Sequence, residues 1–377
     1  PIRIYFDYNQ LDGNDPYRCK KVGQSVKWGT NNDMICKQED IITDEKKKII
    51  KQTLDGIADY LKKLLKVKPV SHMTIPANGN FIFSQQEIRD YDIYFAVLGR
   101  PFDAGSAVAA AVGLPNTNPD YRPKTAFIAL NLKQITKAST INDEPRDLFE
   151  IILHEVFHGL GVAPSVAEYW VEDGKTLQSK GQNPYYSCTF PYTDRPFEFI
   201  TNKAIKEFIK DRYGDDDFGI QKDGTICPSG IELEDDGGDG TALSHPEARC
   251  WPREIMTGYH VEGERHVISN LTLNLLRATG YYDVDFSMAE PMTFGEAITN
   301  YGKPINKFLV SIPRKDWPAK YQCNYLGKYR TCYPDLKHLG MCETMTNNGI
   351  DEVNQYKNFH DPDNTGFVGN DEKRDYV

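Results

Sequence analysis

The sequence predicts an α+β fold, with a mixed, twisted sheet and two long helices in an N-terminal part, followed by irregular central and C-terminal parts. At the start of the chain, Ile2, Ile4 and Phe6 recur with the two-residue period of a half-buried strand. An amphipathic helix, two apolar strands and a second helix follow in that order. This succession is typical of a mixed sheet with helices packed on one side.

The first helix is predicted at Thr43–Val67, where apolar residues recur at helical spacing and most lysines fall on the opposite face. Thr43 can cap its start, because a threonine oxygen accepts hydrogen bonds from the first turn of a helix. Strands are predicted at Asp92–Leu98 and Thr125–Leu132. Glycine, proline and asparagine in Gly113–Pro123 predict a loop between them. The second helix is predicted at Pro145–Leu160.

After Gly161 the chain becomes richer in glycine, proline and acidic residues. Helices are predicted there at Thr201–Tyr213 and Asn270–Thr279, the second of them ended by Gly280. The last part of the chain contains three cysteines and few periodic segments. The sequence therefore predicts three parts, which are an N-terminal part at 1–162, a central part at 163–285 and a loop-rich, disulfide-containing C-terminal part at 286–377.

Composition excludes several classes of function. The formal net charge of the chain is −10, and acidic proteins repel phosphate backbones, so nucleic acid is not an expected partner. No window approaches the ~18 uncharged apolar residues of a membrane-spanning helix, so no such segment is expected in this chain. The eight cysteines are dispersed and form no CxxC pair. This pattern disfavours a thiolate metal site and favours disulfides formed in an oxidising compartment, with pairings that the sequence leaves open.

The motif His154–His158 (HEVFH) contains candidate metal-binding and catalytic residues. Two histidines four residues apart project from one face of a helix, where they can bind the same metal ion. Glu155 points about 100° further round the helix, so it is placed to act as the general base on a zinc-bound water and not as a ligand. The alternative interpretation is an ordinary amphipathic helix that happens to carry two histidines.

The residues after this motif extend it to HExxHxxG, ending at Gly161. A glycine there can adopt a positive φ, end the helix and send the chain beneath the metal. In the common metzincin pattern a histidine ligand follows three residues later, but this chain has Pro164, which cannot bind a metal. Either the site is broken or a third ligand comes from farther along the chain. A gluzincin-like site, with Glu168 or Glu172 as that ligand, is one alternative.

Two longer segments, HEVFHGLG from His154 and GTALSHPEARCWPREIMTG from Gly240, resemble the leishmanolysin family of metzincins. In that family the third zinc ligand follows a long insertion and precedes a tight turn whose methionine lies under the metal. The resemblance implies that His245 is the third ligand and that Met256 is the methionine of the Met-turn. Gly161 and Met256 would then be structural residues beneath the metal, with Glu155 as the catalytic base.

The family resemblance also implies a function. We expect one zinc ion per chain and a zinc-dependent endopeptidase that hydrolyses peptide bonds in protein or peptide substrates. We expect an extracellular protein, secreted or held at the cell surface, since this family is often attached by a glycolipid anchor. The alternative is a surface adhesin or binding module that retains a structural metal site. Glu155 argues against that alternative, because a purely structural site needs no base there.

Overall fold

The structure is a computed structural model in which residues 1–310 are described, apart from positions 12, 14, 28–32, 76, 78–84, 103–108, 115–120, 192–195, 235–240, 249, 259, 261–262 and 306. Beyond residue 310 it describes the backbone of 327–332, 339–346 and 367–368. The chain contains two compact units. Unit 1 comprises Pro1–Lys180, His260–His266 and Thr279–Met288, and unit 2 comprises Gly181–Tyr259, Val267–Ala278 and Ala289–Val377. The three-part division at 162 and 285 stays a prediction.

The described helices are α1 (Asp44–Leu64), α2 (Asp147–Gly159), α3 (Lys203–Tyr213) and α4 (Asn270–Ala278). Short 3₁₀ turns accompany them, of which Pro164–Tyr169 directly follows the turn after α2. All four helices lie where the sequence predicts them, and none of their ends shifts by more than three residues. Among the described residues, no helix combines the length and apolar character required to span a bilayer.

The described strands are mostly short. The first eleven are β1 (Ile4–Asp7), β2 (Ser25–Val26), β3 (Met34–Ile35), β4 (Leu65–Lys66), β5 (His72–Ile75), β6 (Gln86–Arg89), β7 (Ile93–Arg100), β8 (Ala109–Leu114), β9 (Thr125–Asn131), β10 (Val171–Glu172) and β11 (Lys175–Thr176). The later ones are β12 (Tyr185–Cys188), β13 (Phe197–Ile200), β14 (Asp217–Ile220), β15 (Ile226–Pro228), β16 (Ile231–Glu232), β17 (Asp283–Val284), β18 (Gly327–Cys332), β19 (Leu339–Thr346) and β20 (Phe367–Val368).

The main sheet of unit 1 has the strand order β1-β7-β9-β8. Strands β1, β7 and β9 run parallel, whereas β8 runs antiparallel to β9. Strands β7 and β9 are buried along their whole length, which accounts for their uninterrupted apolar sequences. The prediction of a mixed sheet in an α+β fold is therefore confirmed.

Helix α1 begins where the sequence predicts it, because the Thr43 side chain accepts a hydrogen bond from the backbone N–H of Lys46. The helix ends at Leu64, since Leu65 continues the chain into β4. Its buried residues recur mainly at three- and four-residue intervals and form the face of the helix that is turned to the interior of unit 1. They are Ile49, Ile50, Thr53, Leu54, Ile57, Tyr60, Leu61 and Leu64.

The predicted loop at Gly113–Pro123 is wrong at its first two residues, which belong to β8. A Cβ atom at Gly113 would lie 2.2 Å from the carbonyl oxygen of Gly159 at the end of α2. Gly113 therefore allows α2 to approach β8 closely. In a sequence, a glycine that serves close packing looks the same as a glycine that forms a turn. The middle of the predicted loop, 115–120, lies outside the described residues.

Unit 2 contains the antiparallel sheet β12-β13-β16 and the hairpin of β14 and β15. Helix α3 packs against α4. The side chain of Asn202 forms hydrogen bonds to both helices: its oxygen accepts from the backbone N–H of Ile205 in the first turn of α3, and its amide nitrogen donates to the Ala278 carbonyl in α4 at 2.7 Å. The core near α3 contains the fully buried Trp251, whose ring lies 5.9 Å from that of Phe208.

Two disulfides confirm the prediction for four of the eight cysteines. Cys19–Cys36 lies in unit 1, and Cys188–Cys227 links β12 to β15 in unit 2. Cys250 is a buried thiol hydrogen-bonded to a Glu232 carboxylate oxygen at 3.3 Å. The side chains of the other three cysteines lie outside the described residues.

Candidate metal centre

Helix α2 holds the two histidines of the motif on one face. The Nε2 atoms of His154 and His158 lie 3.0 Å apart, and their rings meet edge to face with centroids 4.6 Å apart. A tetrahedral site with metal–nitrogen bonds of about 2.0–2.1 Å has ligand atoms about 3.4 Å apart, so this spacing suits a shared ion. The i, i+4 arrangement that the sequence predicts is therefore present.

The turn after α2 is fixed by the side chains of Trp170 and Tyr282. Gly161 has a φ of +97°, as expected from its place in the motif. The hydroxyl of Tyr282 donates to the Leu160 carbonyl at 2.7 Å, and the indole N–H of Trp170 donates to the Gly161 carbonyl at 2.9 Å. These bonds satisfy carbonyl groups that the helix end would otherwise leave without an intrahelical partner.

This turn also orients His158. Its Nδ1 lies 2.7 Å from the carbonyl oxygen of Val162. Because a carbonyl can only accept, Nδ1 carries the proton and Nε2 presents a lone pair in the neutral ring. Backbone carbonyls commonly set the tautomer of metal-binding histidines in this way.

His245 is held in the same manner in unit 2. It is buried, and its Nδ1 donates to the Thr241 carbonyl at 3.1 Å, which leaves Nε2 as the lone-pair nitrogen. Burial lowers the pKa of His245 and so favours the neutral ring that a metal requires. A Cβ at Gly258 would lie 2.4 Å from a Thr241 methyl group, so only glycine fits beside this histidine segment.

Met256 lies in a tight turn close to His245 in sequence. The backbone N–H of Thr257 donates to the Glu254 carbonyl at 3.1 Å, and Met256 is almost completely buried. The predicted turn is therefore present at this methionine. Its position beneath a metal ion stays a prediction.

The structure describes all three predicted ligands. His154 and His158, in unit 1, present neighbouring Nε2 atoms, and His245, in unit 2, has its Nδ1 bonded to a backbone carbonyl. Imidazole nitrogens are donors that zinc prefers, so the chemistry of these three side chains fits a zinc ion.

Glu155 follows His154, the first predicted ligand, and is partly buried. Burial raises the pKa of its carboxyl group to about 8, and a hydrogen bond with the Ala111 backbone opposes part of that shift. A cation held by the neighbouring histidines would favour the ionised carboxylate and lower this pKa. Such a carboxyl group can exchange a proton near neutral pH.

The gluzincin-like alternatives have other partners in the structure. Glu168 accepts a hydrogen bond from the Gln178 side chain at 3.3 Å. Glu172 forms an ion pair with Lys180 at 2.6 Å. Within the described part of the chain, neither glutamate belongs to a group of side chains spaced to bind a metal ion with His154 and His158.

A comparison with known families decides the relationship of the chain. The family model described as leishmanolysin matches residues 1–377. The chain belongs to the leishmanolysin family. The resemblance inferred from the HExxHxxG and Met-turn segments is confirmed.

Individual members of the leishmanolysin family are distant from this chain. Leishmanolysin of Leishmania major is 26% identical over 373 residues, covering 94% of this chain and 55% of that protein. A leishmanolysin homolog of Crithidia fasciculata is 27% identical over 358 residues, covering 91% and 48%. A leishmanolysin-like peptidase of Drosophila melanogaster is 29% identical over 180 residues, covering 42% and 26%. The chain spans about half the length, or less, of these curated relatives.

Sequence reasoning missed a second group of metal-ligand side chains, formed by Glu150, His260 and His266. Neither His260 nor His266 indicates a metal site in the sequence, because no short motif spacing connects these two histidines to Glu150. Only the folded chain places these residues next to one another.

Proposed function

We propose that this chain is a zinc-dependent endopeptidase of the metzincin type, with His154, His158 and His245 as zinc ligands. The observation that carries this proposal is the pair of Nε2 atoms that His154 and His158 place 3.0 Å apart on one face of α2. Membership of the leishmanolysin family supports it. We further propose one zinc at this centre in each chain, with Gly161 and Met256 supporting it from below.

Each residue has a distinct task in the proposed reaction. Zinc, when bound, acidifies a water molecule and polarises the scissile carbonyl group. Glu155 accepts the proton of the attacking water and later passes it to the leaving amine. Val162 and Thr241 hold His158 and His245 through their backbone carbonyls, so both rings keep their Nε2 atoms available. No covalent acyl-enzyme is required, and the expected substrates are proteins or peptides.

The setting of this activity is also a proposal. Two disulfides among the described residues support folding in an oxidising compartment, as in secreted and cell-surface proteins. We therefore propose an extracellular protein, secreted or attached to the cell surface. The adhesin alternative lacks support, because a structural metal site gives no role to Glu155.

The proposal is tested by casein cleavage and zinc content in matched variants. Glu155→Gln should keep all of its zinc and lose cleavage by about a hundred- to ten-thousand-fold, the contribution typical of a general base. His245→Gln should lose one zinc per chain and its activity. Glu168→Gln is the matched control and should keep both. Addition of a zinc chelator should stop cleavage by the parent protein, and added zinc should restore it.

Two results would contradict the proposal. Cleavage at the parental rate by Glu155→Gln would remove that residue from the mechanism. Unchanged zinc content in His245→Gln would exclude His245 as a ligand, and loss of zinc in Glu168→Gln would favour the gluzincin-like arrangement.

A further inference from the structure

A second cluster of metal-ligand side chains lies at the first turns of α2, in unit 1. Ligand atoms of Glu150, His260 and His266 all lie within 4.8 Å of one another. His266 Nδ1 lies 3.2 Å from a Glu150 carboxylate oxygen. His260 Nε2 also lies 3.3 Å from a carboxylate oxygen of Asp147 at the start of the helix.

We propose that Glu150, His260 and His266 form a second zinc site that is separate from the proposed three-histidine centre. Two imidazoles and a carboxylate are donors that zinc accepts. A tetrahedron with bonds of about 2.0–2.1 Å has edges of about 3.4 Å, close to the 3.2 Å between His266 Nδ1 and a Glu150 carboxylate oxygen.

The surroundings orient the Glu150 carboxylate for this role. Arg146 donates to one of its oxygens through Nε, and the backbone N–H of His266 donates to the other at 3.0 Å. Arg146 also donates to the His266 carbonyl at 2.7 Å. Glu150, Arg146 and His266 are buried, so the carboxylate has little freedom to turn away. Metal-binding carboxylates are commonly fixed by such hydrogen bonds.

His260 lies directly beside His266 in this cluster. Its ring stacks on that of His266, with centroids 4.3 Å apart.

A bound ion would connect two segments of unit 1 that are far apart in sequence. Asp147 and Glu150 belong to α2, the helix that carries the catalytic motif, whereas His260 and His266 belong to the segment His260–His266. The Gly263 backbone N–H already donates to Asp147 at 2.9 Å, which holds the segment near the helix start. With zinc bound, the attachment of the segment His260–His266 to α2 would also depend on the metal ion.

The test measures zinc per chain in the full-length protein after incubation with zinc chloride and desalting. The parent should retain two zinc ions. His260→Gln should retain one and keep casein cleavage, while His245→Gln should retain one and lose cleavage. His72→Gln is the matched control, because His72 is an exposed histidine of unit 1 outside the cluster, and it should retain two. Circular dichroism should establish that each variant is folded.

One outcome in this series overturns the second site. If the parent and His260→Gln carry the same number of zinc ions, Glu150, His260 and His266 form a hydrogen-bonded network only. That result leaves the three-histidine proposal intact, since His245→Gln reports on it separately. If His260→Gln does not fold, anomalous diffraction at the zinc edge from parent crystals decides the matter. A peak between Glu150 and His266 supports the site, and its absence in zinc-soaked crystals excludes it.

Discussion

Replacing Gly159 with alanine places a methyl group against the ring of Phe95 at the contact between α2 and β7. The new Cβ would lie 2.3 Å from Phe95 Cε1 and 2.6 Å from Cζ, whereas ordinary contacts lie at 3.4–4 Å. Phe95 is completely buried, and its ring lies 5.4 Å from that of Phe6, so it has little room to move. The helix or the ring must therefore shift by about 1 Å.

Overpacking of this kind typically costs about 1–3 kcal/mol. Alanine gains at most about 1 kcal/mol over glycine in a helix, and less at a last residue such as Gly159. Gly159→Ala should therefore lower the free energy of unfolding by about 1–2 kcal/mol, measured by urea unfolding followed by tryptophan fluorescence. A shift of α2 also displaces His158, so cleavage by the folded variant should fall as well.

Gly56→Ala provides a matched control for Gly159→Ala. Gly56 lies inside α1, and a Cβ there meets nothing within 4 Å. The same substitution should raise the free energy of unfolding by up to about 1 kcal/mol, because only the helix propensity changes. If Gly159→Ala proves as stable as Gly56→Ala, close packing of α2 on the sheet does not explain the glycine.

Two further substitutions test the local structure. Thr43→Ala should lower the free energy of unfolding by about 1 kcal/mol through loss of the α1 cap, whereas Thr43→Ser should not, in urea titrations of both variants. Burial raises the pKa of Glu254 from 4.5 to about 7. The neutral carboxyl group therefore stabilises the fold fully below about pH 4.5, and this stabilisation is lost as the pH rises through 7. The free energy of unfolding of Glu254→Gln, relative to that of the parent, should increase by up to about 3 kcal/mol between pH 4.5 and pH 8. If the difference between variant and parent is the same at both pH values, this reasoning is wrong.

Local signals in the sequence account for much of the fold. Helix α1 could be predicted because its cap, its apolar periodicity and its charge pattern all depend on residues that are close together in the sequence. His154 and His158 could be placed on one face for the same reason, since helical geometry fixes residues four apart. Gly113 was misread because glycine has two roles, and only the neighbouring carbonyl of Gly159 distinguishes close packing from a turn.

Contacts between residues far apart in the sequence could not be predicted from local patterns. His245 lies far beyond the end of α2 in the sequence, so no periodicity connects it to the motif, and only the family resemblance identified it. The hydrogen bonds of Tyr282 and Trp170 to the turn after α2 leave no local signature either. Glu150 and His266 are separated by more than a hundred residues, so their contact emerges only from the fold of unit 1.

The two bonds from Trp170 and Tyr282 have a dynamic consequence. Helix ends normally fray, with local opening that costs far less than global unfolding. Here the carbonyls of Leu160 and Gly161, directly after α2, are held by buried side chains, so fraying of the helix end would expose an indole and a phenol together with the turn. The end of α2 should therefore exchange its amide hydrogens as slowly as the core strands. His158, located in this last turn, would stay in place until unit 1 as a whole unfolds.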